Sequence, residues 1–200
     1  LGSGSGSGKG IRRGKPTGGL PGRRTRPQTP NLRPTQIVVE AGLEWLARHQ
    51  SPDGSWDPNG YTLMCDSKLG SRCEGRGQSA HVAGLTGLAL LGFLGCGYDT
   101  ISGPYQETVR KGLKWLRLNQ DPEGCFGPKA DNRFTYSHAC ATIAMCEGYA
   151  MSRQSGWKKS AQAGLDFLAE CQNPYGAWRY GKKPGDNDTS VTGWMLMALK

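Results

Sequence analysis

The stretch GLEWLARHQSPDGSW, Gly42 to Trp56, decides how the rest of this 200-residue chain is read. An apolar helical stripe runs out at Gln50, Gly54 follows four residues later, and Trp56 closes the turn. One helix ending of this kind carries little information. The chain writes it again as GLKWLRLNQDPEGCF (112–126) and as GLDFLAECQNPYGAW (164–178). All three align without a gap on Gly-Leu-x-aromatic-Leu-x-x-x-Gln-x-x-x-Gly-x-aromatic, so the chain is built of repeats.

A second kind of segment lies between these: HVAGLTGLALL (81–91), YSHACATIAMC (136–146) and NDTSVTGWMLM (187–197), each small at its start and apolar later. From the motif Gln to the aligned Gly87, Thr142 and Gly193 the distances are 37, 22 and 21 residues, so the first repeat carries an insertion of about 15. That insertion is a Gly-rich loop holding Cys65 and Cys73. The two kinds of segment differ in polarity. Val38, Ala41, Trp45 and Leu46 share one stripe of a helix whose other side carries Glu40, Glu44 and Arg48 at i, i+4 spacing, which predicts a half-exposed helix. The run Ala80 to Tyr98 carries almost no charge and predicts a helix buried on most sides. Its length would also suit a membrane span, but its five glycines, Thr86 and the polar residues in the segments aligned with it favour an inner helix of the array. An outer amphipathic helix followed by an inner apolar one, three times over, predicts an all-α array of helical hairpins.

The motif has a physical sense of its own. A Gln at a helix end can donate its amide protons to an orphan carbonyl and accept from a neighbouring backbone N–H, while Gly54, Gly124 and Gly176 permit the reversal. The aromatic, Trp56, Phe126 or Trp178, then covers these bonds. Gln50, Gln120 and Gln172 are therefore expected to clamp successive hairpins and to take no part in catalysis.

These repeats resemble the QW motifs of the squalene–hopene and oxidosqualene cyclases, within the wider class of prenyltransferase-like α/α toroids. The resemblance covers residues 37–200. It implies a ring of helical hairpins around an apolar cavity, of which this chain holds about half, as a fragment of a bacterial squalene-cyclase-like repeat protein. Function is implied as binding or cyclising an isoprenoid or triterpene in that cavity; the alternative is a non-catalytic toroid scaffold tethered through its tail. In the cyclases an Asp-rich motif at the start of an inner helix protonates the polyene. The matching stretch is GDNDTSVTGW (185–194), which puts Asn187 on the central proton-donating position. An amide is no strong acid. Asp188 remains as the candidate catalytic acid, with capping of the following helix as the competing role, and cyclase chemistry would otherwise need an acid supplied from elsewhere. The resemblance also places Tyr136, His138 and Trp194 near the starts of inner helices, where they would line the cavity, against the alternative of ordinary core packing. A zinc site around His138, of the kind protein prenyltransferases use, lacks its Asp-x-Cys partner, and GCGYD (95–99) lacks the Gln of a thioester.

Cysteine use is less decisive. Seven Cys is an odd number and fixes no redox compartment. A disulfide between Cys65 and Cys73 is a candidate closure of the Gly-rich loop; Cys65-x7-Cys73-x7-His81 matches no standard zinc spacing, and neither a metal nor a cofactor is expected. Cys140 and Cys146 are expected to pack as small apolar residues.

Composition sets the limits. Residues 1–36 hold eight Lys or Arg, no acid, nine Gly and five Pro, which predicts a disordered basic linker. Of the 25 basic residues that leaves 17 against 16 acids for residues 37–200, so the folded part is nearly neutral. The charge in residues 9–33 suits loose contact with an anionic surface and no specific nucleic acid, which would need a basic folded face. A start at Leu1 without Met suggests a piece of a longer chain, with an upstream anchor or export signal as the lean for location.

Overall fold

The computed structural model describes residues 33–65, 73–130 and 133–200. Among them the chain forms six α-helices and no strand: α1 (Pro34–Arg48), α2 (Val82–Gly95), α3 (Gln106–Leu118), α4 (Phe134–Ser152), α5 (Ser155–Glu170) and α6 (Thr189–Leu199). Short 3₁₀ turns at Tyr61–Met64 and Ser79–His81 lie in the long α1–α2 connection. The expected disorder of residues 1–32 falls outside the described residues. Helix α1 opens at Pro34, inside the stretch assigned to the linker, because a proline at the first helical position gives up only an N–H that would be orphaned there.

The polarity split organises the packing. The apolar helices α2 and α4 make the most extensive contact, and α4 also packs on α5 and α6. Glycines set the α2–α4 separation. A Cβ at Gly87 would lie 2.7 Å from the Ala141 nitrogen, and one at Gly84 would lie 2.8 Å from the Ser137 Cα, so larger residues there would push the two helices apart. Two apolar clusters fill the spaces between helices. Leu90, Phe93, Val109, Leu113, Leu116, Phe126 and Met145 form the first; Phe167, Leu168, Trp178, Val191 and Met195 form the second, and all of these are buried.

Two outer edges are less covered than the sequence pattern predicts. In α1 Leu43 is the buried residue, whereas Val38 of the expected stripe is 72% exposed and Ala41 is exposed as well. The helix meets the remainder of the fold through its C-terminal half, where Leu46 and Ala47 pack against the first cluster. In α6 Leu196, Met197 and Leu199 stay exposed while Val191, Met195 and Ala198 are buried. Among the described residues no helix is long and apolar enough to cross a membrane.

Candidate functional site

The three Gln-Gly-aromatic turns have one backbone design. Ser51, Asp121 and Asn173 each donate N–H to the carbonyl four residues on, at 2.9, 2.9 and 3.0 Å, and the turn glycine has positive φ in every case. Each Gln donates Nε2–H to the carbonyl of its own turn glycine, Gly54, Gly124 or Gly176, at 2.9 Å. Gln50 and Gln120 donate again to the next outer helix, to the Thr108 carbonyl of α3 at 2.9 Å and to the Ser160 carbonyl of α5 at 3.0 Å. Gln120 also accepts from the Ser160 hydroxyl at 2.6 Å. The acceptors thus lie across the turn and on the following helix, not at the end of the helix that carries the Gln. The Trp56 and Trp178 rings donate Nε1–H to Leu46 and Leu168, ten residues back, at 2.8 and 2.9 Å.

His138 sits within this framework. It is fully buried, accepts the Phe126 N–H at Nδ1 (3.2 Å) and donates Nε2–H to the Gly164 carbonyl (3.0 Å). Burial holds its pKa down at about 4, so the ring is neutral, with Nδ1 committed to the second turn and Nε2 to α5. Its counterparts are Thr86 and Thr192, whose hydroxyls accept the Trp56 and Trp178 N–H at 3.1 Å. An imidazole does from α4 what a threonine does from α2 and α6.

The Asp-rich stretch also resolves into structure. Asp188 is the N-cap of α6, accepting the Val191 N–H at 2.9 Å and the Ser190 hydroxyl at 2.6 Å. These hydrogen bonds, the Ser190 hydroxyl first, hold its carboxyl below the usual carboxylate range. The geometry places Asp188 as the cap of α6. Since Ser190 gives its proton to Asp188, the Tyr136 hydroxyl 2.5 Å away donates to Ser190. Asn187 Oδ1 is taken up by the Asn173 amide at 2.7 Å. Trp194 is half-buried against the second cluster. Tyr136 therefore sits at the start of α6, Trp194 lies midway along that helix, and His138 is in the core.

An open groove of about 690 Å³ lies elsewhere, between the end of α1 and the outer side of α2. Trp45, Trp56, Leu85, Leu88 and Ala89 make it mainly apolar, and Tyr61 and Cys73 close one side. Leu85 and Leu88 are 37% and 45% exposed although they belong to the most apolar helix pattern in the chain. No sequence signal marks them, because α2 has no polar face from which an exposed face could be read. At the groove wall the insertion folds back onto α1 and brings Cys65 and Cys73 to His49, whose ring stacks on Trp45 at 4.0 Å between centroids. Cys65 and Cys73 are free thiols, not a disulfide. The Cys65 thiol beside it, and then burial, push the Cys73 thiol up from the usual range. Four of the other five cysteines, at 125, 140, 146 and 171, are pushed up to about 12, 11, 11 and 11, by burial first in each case, which suits packing and not reactivity.

No family model matches the chain. Over 88 residues it is 33% identical to a squalene–hopene cyclase of Zymomonas mobilis, a match covering 44% of this chain and 12% of that protein. The similarity supports a cyclase-like relationship.

Proposed function

We propose that the chain is part of an α/α toroid related to the squalene cyclases and that it binds an apolar, isoprenoid-like ligand against its inner helices. The exposure of Leu85 and Leu88 beside Trp45 carries this reading: large apolar side chains on an inner helix border a groove instead of a packed neighbour. The partial likeness to a squalene–hopene cyclase and the recurring Gln-Gly-aromatic turns support it. A ligand of this class is held by apolar area and shape, and the aromatic rings add affinity for a cationic intermediate only where one forms.

A non-catalytic toroid is the second reading, and the site near α6 favours it. Asn187 occupies the position where a proton donor would stand, and Asp188 caps α6. Incubating the 200-residue chain with squalene tests both. Retention of squalene after gel filtration, lost in Leu88→Glu while the melting temperature stays unchanged, is the expected result. Equal retention by Leu88→Glu, or none by the parent chain, would overturn ligand binding in this groove. Cyclised product detected by mass spectrometry and unaffected by Asp188→Asn would show that the acid lies elsewhere in the chain.

A further inference from the structure

We propose that His49, Cys65 and Cys73 form a zinc site that fastens the first-repeat insertion to the end of α1. His49 Nε2 lies 3.5 Å from the Sγ of Cys65 and 3.5 Å from the Sγ of Cys73, and all three donor atoms fall within 4.8 Å of one another. Tetrahedral zinc with its ordinary bond lengths to thiolate sulfur and imidazole nitrogen separates N from S by roughly 3.6 Å and S from S by roughly 3.8 Å. Both nitrogen–sulfur separations therefore already match an edge of that tetrahedron, and the two sulfurs lie within 4.8 Å of each other. Thiolate with imidazole is the donor set that favours zinc over the oxygen-preferring cations.

The surroundings of the donors fit the same purpose. His49 is 5% exposed, and its Nδ1–H donates to the Trp45 carbonyl at 2.7 Å, which leaves Nε2 as the nitrogen that faces the two sulfurs. The backbone N–H of Cys73 donates to Cys65 Sγ at 3.3 Å, a bond that strengthens as the sulfur gains negative charge. Three protein ligands leave a fourth position for water or for a small donor arriving through the groove.

Comparison between repeats separates this role from ordinary helix capping. Asn119 holds in the second repeat the position that His49 holds in the first, and its Nδ2 donates to the Trp115 carbonyl at 2.9 Å just as His49 donates to Trp45. Capping is thus satisfied by an amide. What the imidazole adds is a second nitrogen, and it occurs in the repeat whose insertion supplies two cysteines.

The test titrates the reduced 200-residue chain with cobalt(II) under anaerobic conditions and then displaces cobalt with zinc. One equivalent should bind, with a thiolate-to-cobalt charge-transfer band and the visible bands of a four-coordinate ion, both erased by zinc. His49→Asn keeps the capping bond in the manner of Asn119 and should weaken binding at least ~100-fold without lowering the melting temperature of the metal-free protein. Cys65→Ser or Cys73→Ser should remove the charge-transfer band, and Cys96→Ser should leave it unchanged. Absence of the band in the parent chain, or parent-like titration by His49→Asn, overturns the site. So does a Cys65–Cys73 disulfide that forms with one equivalent of zinc present, read by mass after alkylation.

Discussion

The turn after α3 and the turn after α5 share a sequence pattern and a backbone, yet they stand in different surroundings. In the former, Gly124 and Phe126 are buried, and Gln120 makes three hydrogen bonds, two of them to Ser160 on the next outer helix. In the latter, Gly176 and Gln172 are exposed, and Gln172 bonds to the carbonyl of Gly176 in its own turn. The motif shapes a turn wherever it occurs, and it becomes a clamp where an outer helix lies against it. Its contribution to stability should therefore differ between two copies of one motif.

The glycines give the largest contrast. At Gly124 φ is +95°, and an added Cβ would also run into the Ala163 carbonyl of α5; at Gly176 φ is +80°, with nothing within 4 Å of such a Cβ. Gly124→Ala combines backbone strain with overpacking and should destabilise by about 4 kcal/mol. Gly176→Ala retains the left-handed strain alone, about 1–2 kcal/mol. Urea unfolding of the two variants measures the difference, and equal losses would show that the helix behind Gly124 adds nothing.

His138 separates the second turn from the other two by pH. Its buried ring has a pKa of about 4 in the fold, against about 6.5 for an unperturbed histidine. The unfolded chain then binds the proton first, so stability is fully present above pH ~6.5 and falls as pH drops toward 4, by roughly 3 kcal/mol in all. Thr86 and Thr192 do the same work without titrating. A His138→Gln variant should be less stable than the parent at pH 7 and lose less of its stability between pH 7 and 4. Parallel pH profiles would remove the histidine from the acid sensitivity of the fold.

The glutamines follow. Gln120→Ala deletes three hydrogen bonds and leaves the Ser160 carbonyl to other partners, for a loss of about 2–3 kcal/mol, whereas Gln172→Ala deletes one exposed bond and should lose no more than about 1 kcal/mol. Equal losses in thermal melts would mean that the bond inside the turn accounts for the whole effect.

How much of this could be read in the sequence depended on how local the determining contacts are. The repeats, their outer and inner helices and the reversal at each glycine follow from spacing over some fifteen residues, and the helices fall where that spacing puts them. Capping by Asp188 was legible too, because an N-cap bond reaches only three residues ahead. The partner of His138 is a backbone N–H twelve residues earlier whose position depends on how α4 seats against the second turn. His49 meets Cys65 and Cys73 across 16 and 24 residues through a loop with no repeat counterpart, so the sequence offered His81 as a third ligand and left His49 as an ordinary helix-end residue. Leu85 and Leu88 could not be told from their buried neighbours because every face of α2 is apolar.

The weakest link between the two turns is ionic, and it shows how little an exposed contact adds to the buried ones. Glu123 of the second turn is 2.7 Å from both Lys129 and Lys182, and Lys182, which follows the third turn, also reaches Glu170 at 3.0 Å. The two lysines, Lys129 first, hold the Glu123 carboxyl down at about 2. Its contribution is present above the ordinary glutamate range and is lost as pH falls from about 4.5 toward 2. These side chains are about half exposed, so salt screens them. Glu123→Gln should lower the melting temperature slightly at pH 7 and about 0.02 M salt, and the deficit should vanish in about 1 M salt or at pH near 2. A double-mutant cycle with Lys182→Ala then isolates the bridge between the turns. Coupling that survives high salt would mean that the third turn is fastened to the second through a contact stronger than its exposure allows; coupling that vanishes leaves the half-buried amide of Gln120 as the clamp, with no equivalent at Gln172.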